Sequence, residues 1–215
     1  MDAFDELLKI AEKLNGPDGC PWDRTQTFFS LQPYLLEEVH EVIEAVDSKD
    51  DEKTIEELGD LFYTVIFYCK VAQKDKKFSI QDVIKAVQAK LIHRHPHVFG
   101  DLKFETPQEV MKEWEKRKLV EKGHKDRKSA VDGIPETLPL IARAQKLISK
   151  ILRKHSAFFS SATQKPETPE EEISQELTQL LCKAHNKGVD LESALRRTIA
   201  QHEKEFRAWE KTAVF

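Results

Sequence analysis

The sequence predicts an all-α protein, and three observations support this prediction. Apolar residues recur at intervals of three and four along most of the chain, which is the spacing of one face of an α-helix. Glu, Lys, Leu, Ala and Gln dominate the composition and favour helices, whereas seven glycines and three tyrosines are few for an all-β protein. No stretch carries the signals of a strand.

The first half of the chain contains four predicted helices with short connections. Their predicted bounds are 2–14, 33–46, 54–73 and 80–93. The first helix ends at a segment rich in Gly and Pro, and residues 20–24 are interpreted as an ordered loop. Ser79 is the expected N-cap of the fourth helix, because Asp82 follows it at the capping-box spacing.

The second half continues with helices separated by two breaks. A fifth helix is expected to begin at Thr106 and Pro107, with Glu109 completing a capping box. Residues 121–139 carry two glycines and two prolines, and are interpreted as a linker. Further helices are predicted over 137–154, 169–186 and 190–211, with a loop over 156–169.

Composition excludes several classes of protein. Acidic residues outnumber basic ones, 38 to 34, so the chain lacks the overall basic balance typical of proteins that bind duplex nucleic acid. No apolar run reaches the about 20 residues of a membrane span, and residues 1–15 lack the apolar core of a signal peptide. Cys20, Cys69 and Cys182 are too far apart for a disulfide framework or a zinc ribbon. We therefore expect a cytoplasmic protein with neither a nucleic-acid partner nor a membrane partner.

Two pairs of acids stand three residues apart on neighbouring helices. Glu38 and Glu41 lie on one edge of the predicted core stripe of their helix. That stripe consists of Leu35, Val39, Val42 and Val46.

The second pair, Glu57 and Asp60, lies in a helix that is apolar nearly all round and is therefore expected to be buried on most sides. A buried carboxylate without a partner is costly, and it usually acquires a cation or a raised pKa. Four converging carboxylates suit Mg²⁺ or Mn²⁺. The alternative is that all four acids are solvated on exposed faces. Gly59 costs about 1 kcal/mol in helix propensity, and we attribute it to the close approach of a neighbouring helix or a ligand.

The order of these acids resembles the signature of the all-α nucleoside triphosphate pyrophosphohydrolases. Residues 37–41, followed by fifteen residues and then by residues 57–60, match the pattern EExxE…ExxD. Four flanking strings are similar to the N-terminal half of MazG, and the resemblance covers essentially residues 1–150. These strings are residues 19–27, 33–38, 94–100 and 129–135.

The resemblance implies a reaction and a cofactor. The family hydrolyses a nucleoside triphosphate between the α- and β-phosphorus, which yields a nucleoside monophosphate and pyrophosphate. The resemblance also implies that Mg²⁺, or Mn²⁺ in its place, is held by Glu38, Glu41, Glu57 and Asp60. Glu37 or Glu56 would orient the attacking water or act as the base. The family also implies a homodimer whose protomers complete one helical bundle.

A triphosphate needs cations and an aromatic surface as well as a metal. Lys90 and Arg94 lie four residues apart on one helix face, and so do Trp114 and Lys118; the resemblance assigns both pairs to the nucleotide. Loop residues and a lysine one turn before Glu57 are further candidates, although a solvated side chain is the alternative for each basic residue. The candidate substrate-binding residues are Lys90, Arg94, Trp114, Lys118, Lys53, Trp22 and Arg24.

Two other metal chemistries and one non-enzymatic role compete with this interpretation. A zinc site at His93, His95 and His97 is disfavoured, because Pro96 breaks the helix and prevents the three imidazoles from sharing a face. A di-iron bundle needs two Glu-x-x-His pairs at its site; Glu37 and His40 make one, but the second acid pair, Glu57 and Asp60, includes no histidine. A catalytically silent nucleotide-binding or regulatory module is the remaining alternative.

Full-length MazG carries two copies of this fold in tandem, and residues 170–209 resemble the end of the second copy. Glu172 matches Glu57, but Gln175 stands where Asp60 is expected. An amide is a weaker ligand for Mg²⁺ than a carboxylate.

The second copy also lacks its basic pair, because Gln201 and Glu205 stand at the positions of Lys and Arg, and the helix for its other acid pair is missing. We therefore predict a MazG-like catalytic domain over 1–120, a linker over 121–139, and a degenerate, non-catalytic second repeat over 140–215.

Overall fold

Residues 2–121, 128–161 and 165–212 are described by the structure, a computed structural model, and they form eleven α-helices and no strand. The predicted all-α class is confirmed. The helices are α1 (Ala3–Asn15), α2 (Pro21–Thr25), α3 (Gln32–Ser48), α4 (Asp51–Lys74), α5 (Ile80–Arg94), α6 (Pro96–Phe99), α7 (Pro107–Val120), α8 (Leu140–Lys154), α9 (Phe158–Ser161), α10 (Pro169–Asn186) and α11 (Leu191–Glu210). None of them, over the described residues, is long and apolar enough to cross a membrane.

The long helices begin where their capping residues predict. Ser79 and Asp82 form the expected capping box at the start of α5, with the Ser79 backbone N–H donating to the Asp82 carboxylate at 2.8 Å. Glu109 accepts from the backbone N–H of Thr106, whose hydroxyl accepts from the Glu109 N–H at 3.3 Å. Both predicted boxes are therefore confirmed.

Three short helices were not predicted. Helix α2 lies in the predicted loop after α1, α6 follows Pro96, and α9 lies in the predicted loop 156–169. Each has only four or five residues, which is too few for hydrophobic periodicity to register.

The chain divides into two compact units between Arg117 and Lys118. In the N-terminal unit α4 is central and packs against α3, α1 and α5. Its C-terminal half is buried on several sides, and Phe67 and Val71 form a core cluster with Leu31. Since only Lys49 and Asp50 connect α3 to α4, the two helices form a tight hairpin that brings their side chains together.

The structure corrects the predicted core stripe of α3. Val39 is 36% exposed and Val46 is 57% exposed, whereas Ala45 is completely buried. The row of side chains that faces α4 runs through Ala45 and the half-buried Glu38 and Glu41. Hydrophobicity alone placed the stripe wrongly, because it cannot show which face of an amphipathic helix its neighbour covers.

The prediction that the helix now called α4 is buried on most sides is also wrong for its N-terminal half. The exposed apolar residues there and in the following turn form a stripe that the other described residues cover only in part. They are Ile55, Leu58, Phe62 and Val65. We call this set the α4 apolar stripe.

The C-terminal unit is built on α8, which packs against α10 and α11. Gln145 of α8 accepts from the backbone N–H of Glu192 at 2.9 Å and donates to Asp190 at 3.1 Å. Residues 128–139 contain no helix but are held to α8, since the Lys150 ammonium donates to the carbonyls of Ala130 and Asp132. Residues 122–127 of the predicted linker lie outside the described part of the chain.

Candidate metal centre

Three glutamates of the α3–α4 hairpin converge. Oxygen atoms of Glu38, Glu41 and Glu57 all lie within 4.8 Å of one another. Glu38 and Glu41 share a face of α3 because they are three residues apart, and Glu57 lies on the face of α4 that packs against it. Glu57 is buried and the other two are half-buried.

The convergence is electrostatically unfavourable without a cation. Burial raises the pKa of Glu38, and the negative charges of Asp60, Glu41, Glu57 and Glu37 raise it further. The Oε2 atom of Glu38 is buried, and no group in the described part of the chain donates a hydrogen bond to it. A buried acceptor without a donor carries the full cost of its desolvation.

Burial and like charge also raise the pKa of Glu57, and a nearby lysine partly offsets this effect. Burial raises its pKa first and the charge of Glu41 adds to this effect, whereas the nearby Lys53 lowers it. The Lys53 ammonium lies 3.5 Å from a carboxylate oxygen of Glu44, so this half-buried lysine links α4 to α3 beside the cluster.

Asp60 stands apart from the three converging glutamates. It is exposed and does not belong to the group whose oxygens lie within 4.8 Å. It is nevertheless the largest charge contribution to the raised pKa of Glu38. Its assignment as the fourth ligand stays a prediction.

The donor set fits a hard divalent cation. It consists of carboxylate oxygens only, and one of them is buried without a hydrogen-bond donor. Mg²⁺ and Mn²⁺ prefer such ligands, whereas zinc and iron sites usually include His or Cys. Among the described residues no group that includes a histidine or a cysteine has the geometry to hold a metal. His40 is exposed on α3.

The two candidate bases, Glu37 and Glu56, lie beside the cluster. Both are exposed, the first on α3 and the second on α4. The charge of each raises the pKa of its neighbour in the cluster, Glu38 and Glu57 respectively. Each candidate base therefore lies close to one carboxylate of the cluster.

The predicted basic pair lies on α5, which packs against α4. Lys90 is exposed and Arg94 is half-buried. The guanidinium carbon of Arg94 lies 5.0 Å from the ring centroid of Trp114, which α7 supplies. Lys118 follows on the same helix as the first residue of the C-terminal unit.

The loop candidates are fixed by local contacts. Trp22 is exposed and meets Tyr34 edge-on at 5.4 Å between ring centroids. The guanidinium of Arg24 donates to the carbonyl of Pro17, and its own carbonyl accepts from Lys74 of α4 at 2.9 Å. Arg24 therefore helps to hold the α2 segment.

Sequence reasoning missed two residues near these candidates. Asp23 is buried in α2, where its charge raises the pKa of Tyr63, although burial of Tyr63 is the larger cause. His95 contacts Trp114 with ring centroids 4.9 Å apart. Neither residue belongs to a helical spacing pattern. Asp23 lies in the string 19–27 and His95 in the string 94–100, and His95 was considered only as a zinc ligand.

Comparisons with known proteins identify the family of the segment that contains the α3–α4 hairpin. Residues 26–99, which contain all of α3 and α4, match the family model of the MazG nucleotide pyrophosphohydrolase domain. A nucleoside triphosphate pyrophosphohydrolase of Escherichia coli (strain K12) is 44% identical over 148 residues, which is 68% of this chain and 56% of the relative. The nucleoside triphosphate pyrophosphohydrolase/pyrophosphatase MazG of Thermotoga maritima is 41% identical over 82% of this chain and 66% of its own length.

A solved structure is also similar in sequence. It is the crystal structure of a mazG-related protein from Thermotoga maritima, which is 34% identical over 53% of this chain and 97% of that chain, with a TM-score of 0.48. This chain spans 56% and 66% of the lengths of the two enzymes above. The match to the family model and these sequence identities show that the chain belongs to the MazG family.

Proposed function

We propose that the chain is a Mg²⁺-dependent pyrophosphohydrolase that converts a nucleoside triphosphate to the monophosphate and pyrophosphate. The observation that carries this proposal is the convergence of three glutamates within 4.8 Å on the α3–α4 hairpin. This hairpin lies inside the segment that matches the MazG domain, and two relatives are named as enzymes of this reaction. Clearance of unwanted nucleotides from the pool is the expected role in the cytoplasm.

Each residue has a defined task in this proposal. Glu38, Glu41 and Glu57, with Asp60 as the fourth ligand, would hold Mg²⁺ or Mn²⁺. The ion, when bound, supplies positive charge for the phosphate oxygens and lowers the pKa of a water. Glu37 or Glu56 accepts the proton of the attacking water.

The cations bind the phosphates and the aromatic side chains bind the base. Lys90 and Arg94 present charge from α5, and Lys53 does so from beside the carboxylates. Trp114, Lys118, Trp22 and Arg24 complete the proposed nucleotide contacts. The α3–α4 hairpin and its three converging glutamates lie wholly in the N-terminal unit, which supports a catalytic domain over 1–120.

The C-terminal unit is proposed to be a degenerate second repeat over 140–215 that follows a linker. Glu205 of α11 accepts a hydrogen bond from Gln201 at 2.6 Å, and this bond is the largest cause of its lowered pKa. A carboxylate held in its anionic form repels a phosphate. No group in the described part of α10 and α11 has the geometry to hold a metal.

The α4 apolar stripe supports a homodimer. Four large apolar residues in successive turns of one helix remain at least 41% exposed in the described part of the chain. An exposed apolar row of this kind is typical of a protein–protein interface. We propose that a second copy of the chain covers the stripe, as the family resemblance implies.

The test of the proposed activity is release of pyrophosphate from a panel of nucleoside triphosphates with Mg²⁺. Glu38→Gln should lower kcat/KM by at least about 100-fold, because it removes a charged ligand. Glu52→Gln is the matched control, since Glu52 is an exposed acid at the start of α4, and its activity should stay within about twofold. Nucleotide binding without any pyrophosphate release by the unsubstituted chain would instead indicate a silent binding module.

A further inference from the structure

The C-terminal end of α5 contacts α7 through one indole. Arg94 lies over the ring of Trp114 at 5.0 Å, and His95 meets the same ring edge to face, with centroids 4.9 Å apart and planes at 76°. Trp114 is half-buried, so part of its surface stays open. Two consecutive residues of one chain segment therefore restrict the orientation of this indole.

The His95 ring is itself held by its own helix. Its Nδ1 atom lies 2.7 Å from the carbonyl oxygen of Leu91. A carbonyl only accepts hydrogen bonds, so Nδ1 carries the proton in this contact. The backbone N–H of His95 also donates to the Leu91 carbonyl at 3.1 Å. His95 is thus held through both its backbone N–H and its ring.

Further aromatic rings continue from His95. His97 of α6 lies 5.6 Å from His95, and Phe104 lies 5.3 Å from His97. Phe104, His97, His95 and Trp114 therefore form a continuous row of four aromatic rings. Offset and edge-to-face contacts at these distances are favourable for aromatic pairs.

A separate contact fixes α7 against the same helix end. Arg117 donates to the carbonyl of His93 at 3.0 Å and to the Glu113 carboxylate at 2.9 Å. Because Arg117 lies three residues after Trp114, it holds the backbone of α7 near the point where His95 holds the indole. The position of Trp114 is consequently set by its side-chain contacts as well as by its helix.

We propose that His95 is a positioning residue, which holds the Trp114 indole in the orientation that a nucleotide base stacks against. This inference rests on the proposed function, in which Trp114 binds nucleotide. A side chain that is already ordered loses less rotamer freedom when the ligand binds. His95 acts through Trp114 and does not itself take part in the hydrolysis.

Steady-state kinetics of the full chain provide the first test. His95→Ala should raise KM about three- to tenfold and leave kcat within about twofold, because it removes only the ordering of a binding group. His95→Phe, which keeps a ring, should recover most of the loss. An unchanged KM, or a fall in kcat alone, would overturn the inference.

The chain offers a matched control at the end of α8. His155 occupies the same C-cap position as His95, and its backbone N–H donates to the carbonyl of Ile151 as that of His95 does to Leu91. It is exposed and lies in the C-terminal unit, and no ring contact joins it to a described residue. His155→Ala should therefore leave KM within about twofold of the unsubstituted chain.

A double-mutant cycle separates positioning from direct contact with the ligand. If His95 acts through Trp114, His95→Ala should add nothing to the KM of Trp114→Ala. Additive effects of the two substitutions would overturn the inference. Equal thermal unfolding midpoints for His95→Ala and the unsubstituted chain would exclude a general loss of structure.

A ligand-free measurement tests the positioning independently of the enzyme activity. Trp22→Phe with Trp209→Phe leaves Trp114 as the only tryptophan of the chain. Its steady-state fluorescence anisotropy without nucleotide should fall when His95→Ala is added, and should not fall with His155→Ala. Unchanged anisotropy would overturn the inference. An unsubstituted chain that releases no pyrophosphate would overturn the proposed function, while the anisotropy still decides whether His95 orders the indole.

Discussion

The carboxyl of Glu38 shows how the surroundings of a single residue can indicate a cation site. It lies near four other acids of the α3–α4 hairpin, and one of its oxygens is buried without a donor among the described residues. Burial and these like charges raise its pKa, so the ionised form destabilises the metal-free fold. The same charges that favour a divalent cation therefore weaken the protein without one.

The sign of this effect gives a pH-dependent prediction. A raised carboxyl pKa means that the folded state binds more protons, so stability is lost as the pH rises above the ordinary value of 4.5. Metal-free Glu38→Gln should therefore unfold at a higher temperature than the unsubstituted chain at pH 7, and this difference should shrink below pH 4.5. Calorimetry with EDTA measures both midpoints.

Addition of metal should reverse the order of the two unfolding temperatures, so that the unsubstituted chain becomes the more stable. Mg²⁺ stabilises whichever folded form binds it, so it should raise the midpoint of the unsubstituted chain more than that of Glu38→Gln. A variant that is less stable than the unsubstituted chain at pH 7 in EDTA would contradict the repulsion described here.

At the scale of the element, the space around Gly59 tests why α4 contains a glycine. We attributed it to close approach of a helix or a ligand, but a Cβ built at this position meets no atom within 4 Å. Close packing within this chain is therefore the wrong explanation among the described residues.

Gly59→Ala should consequently stabilise the protein by about 1 kcal/mol, the difference in helix propensity. Denaturant unfolding measures this gain, and sedimentation at the same concentrations reports the oligomeric state. Loss of stability or of self-association would instead show that another molecule approaches the glycine.

The α4 apolar stripe makes the proposed dimer testable. Val65→Lys should dissociate the dimer, because it places a charge in the row that a second copy covers. Leu195→Lys on α11 is the matched control, since Leu195 is 43% exposed and Val65 is 41% exposed. Sedimentation velocity at micromolar concentration compares them, and a monomeric unsubstituted chain would argue against the dimer.

At the scale of the whole molecule, one unit is proposed to hold all of the catalytic acids. Glu57→Gln should lower pyrophosphate release by at least about 100-fold, whereas its counterpart Glu172→Gln should stay within about twofold. The reason is that Glu172 is exposed on α10, and no acid cluster with metal-binding geometry among the described residues includes it. Comparable losses in both full-length variants would show that the second repeat takes part in catalysis.

The sequence by itself determined the long helices, the caps of α5 and α7, and the acid pairs. Ser79 and Asp82 form the predicted box, and the pairing of Glu38 with Glu41 follows from a spacing of three residues. These features depend on local hydrogen bonds and on the fixed pitch of the helix, so they can be read from a few neighbouring residues.

Only the tertiary structure decided which faces are covered. Val46 is exposed and Ala45 is buried. Glu57 lies beside the α3 acids, whereas Asp60 is exposed. His95 contacts Trp114. Periodicity defines a face of a helix but not the neighbour that covers it. The ring contact between His95 and Trp114 spans eighteen intervening residues and a break at Pro96. It depends on how α5 and α7 pack, and no local spacing encodes that packing.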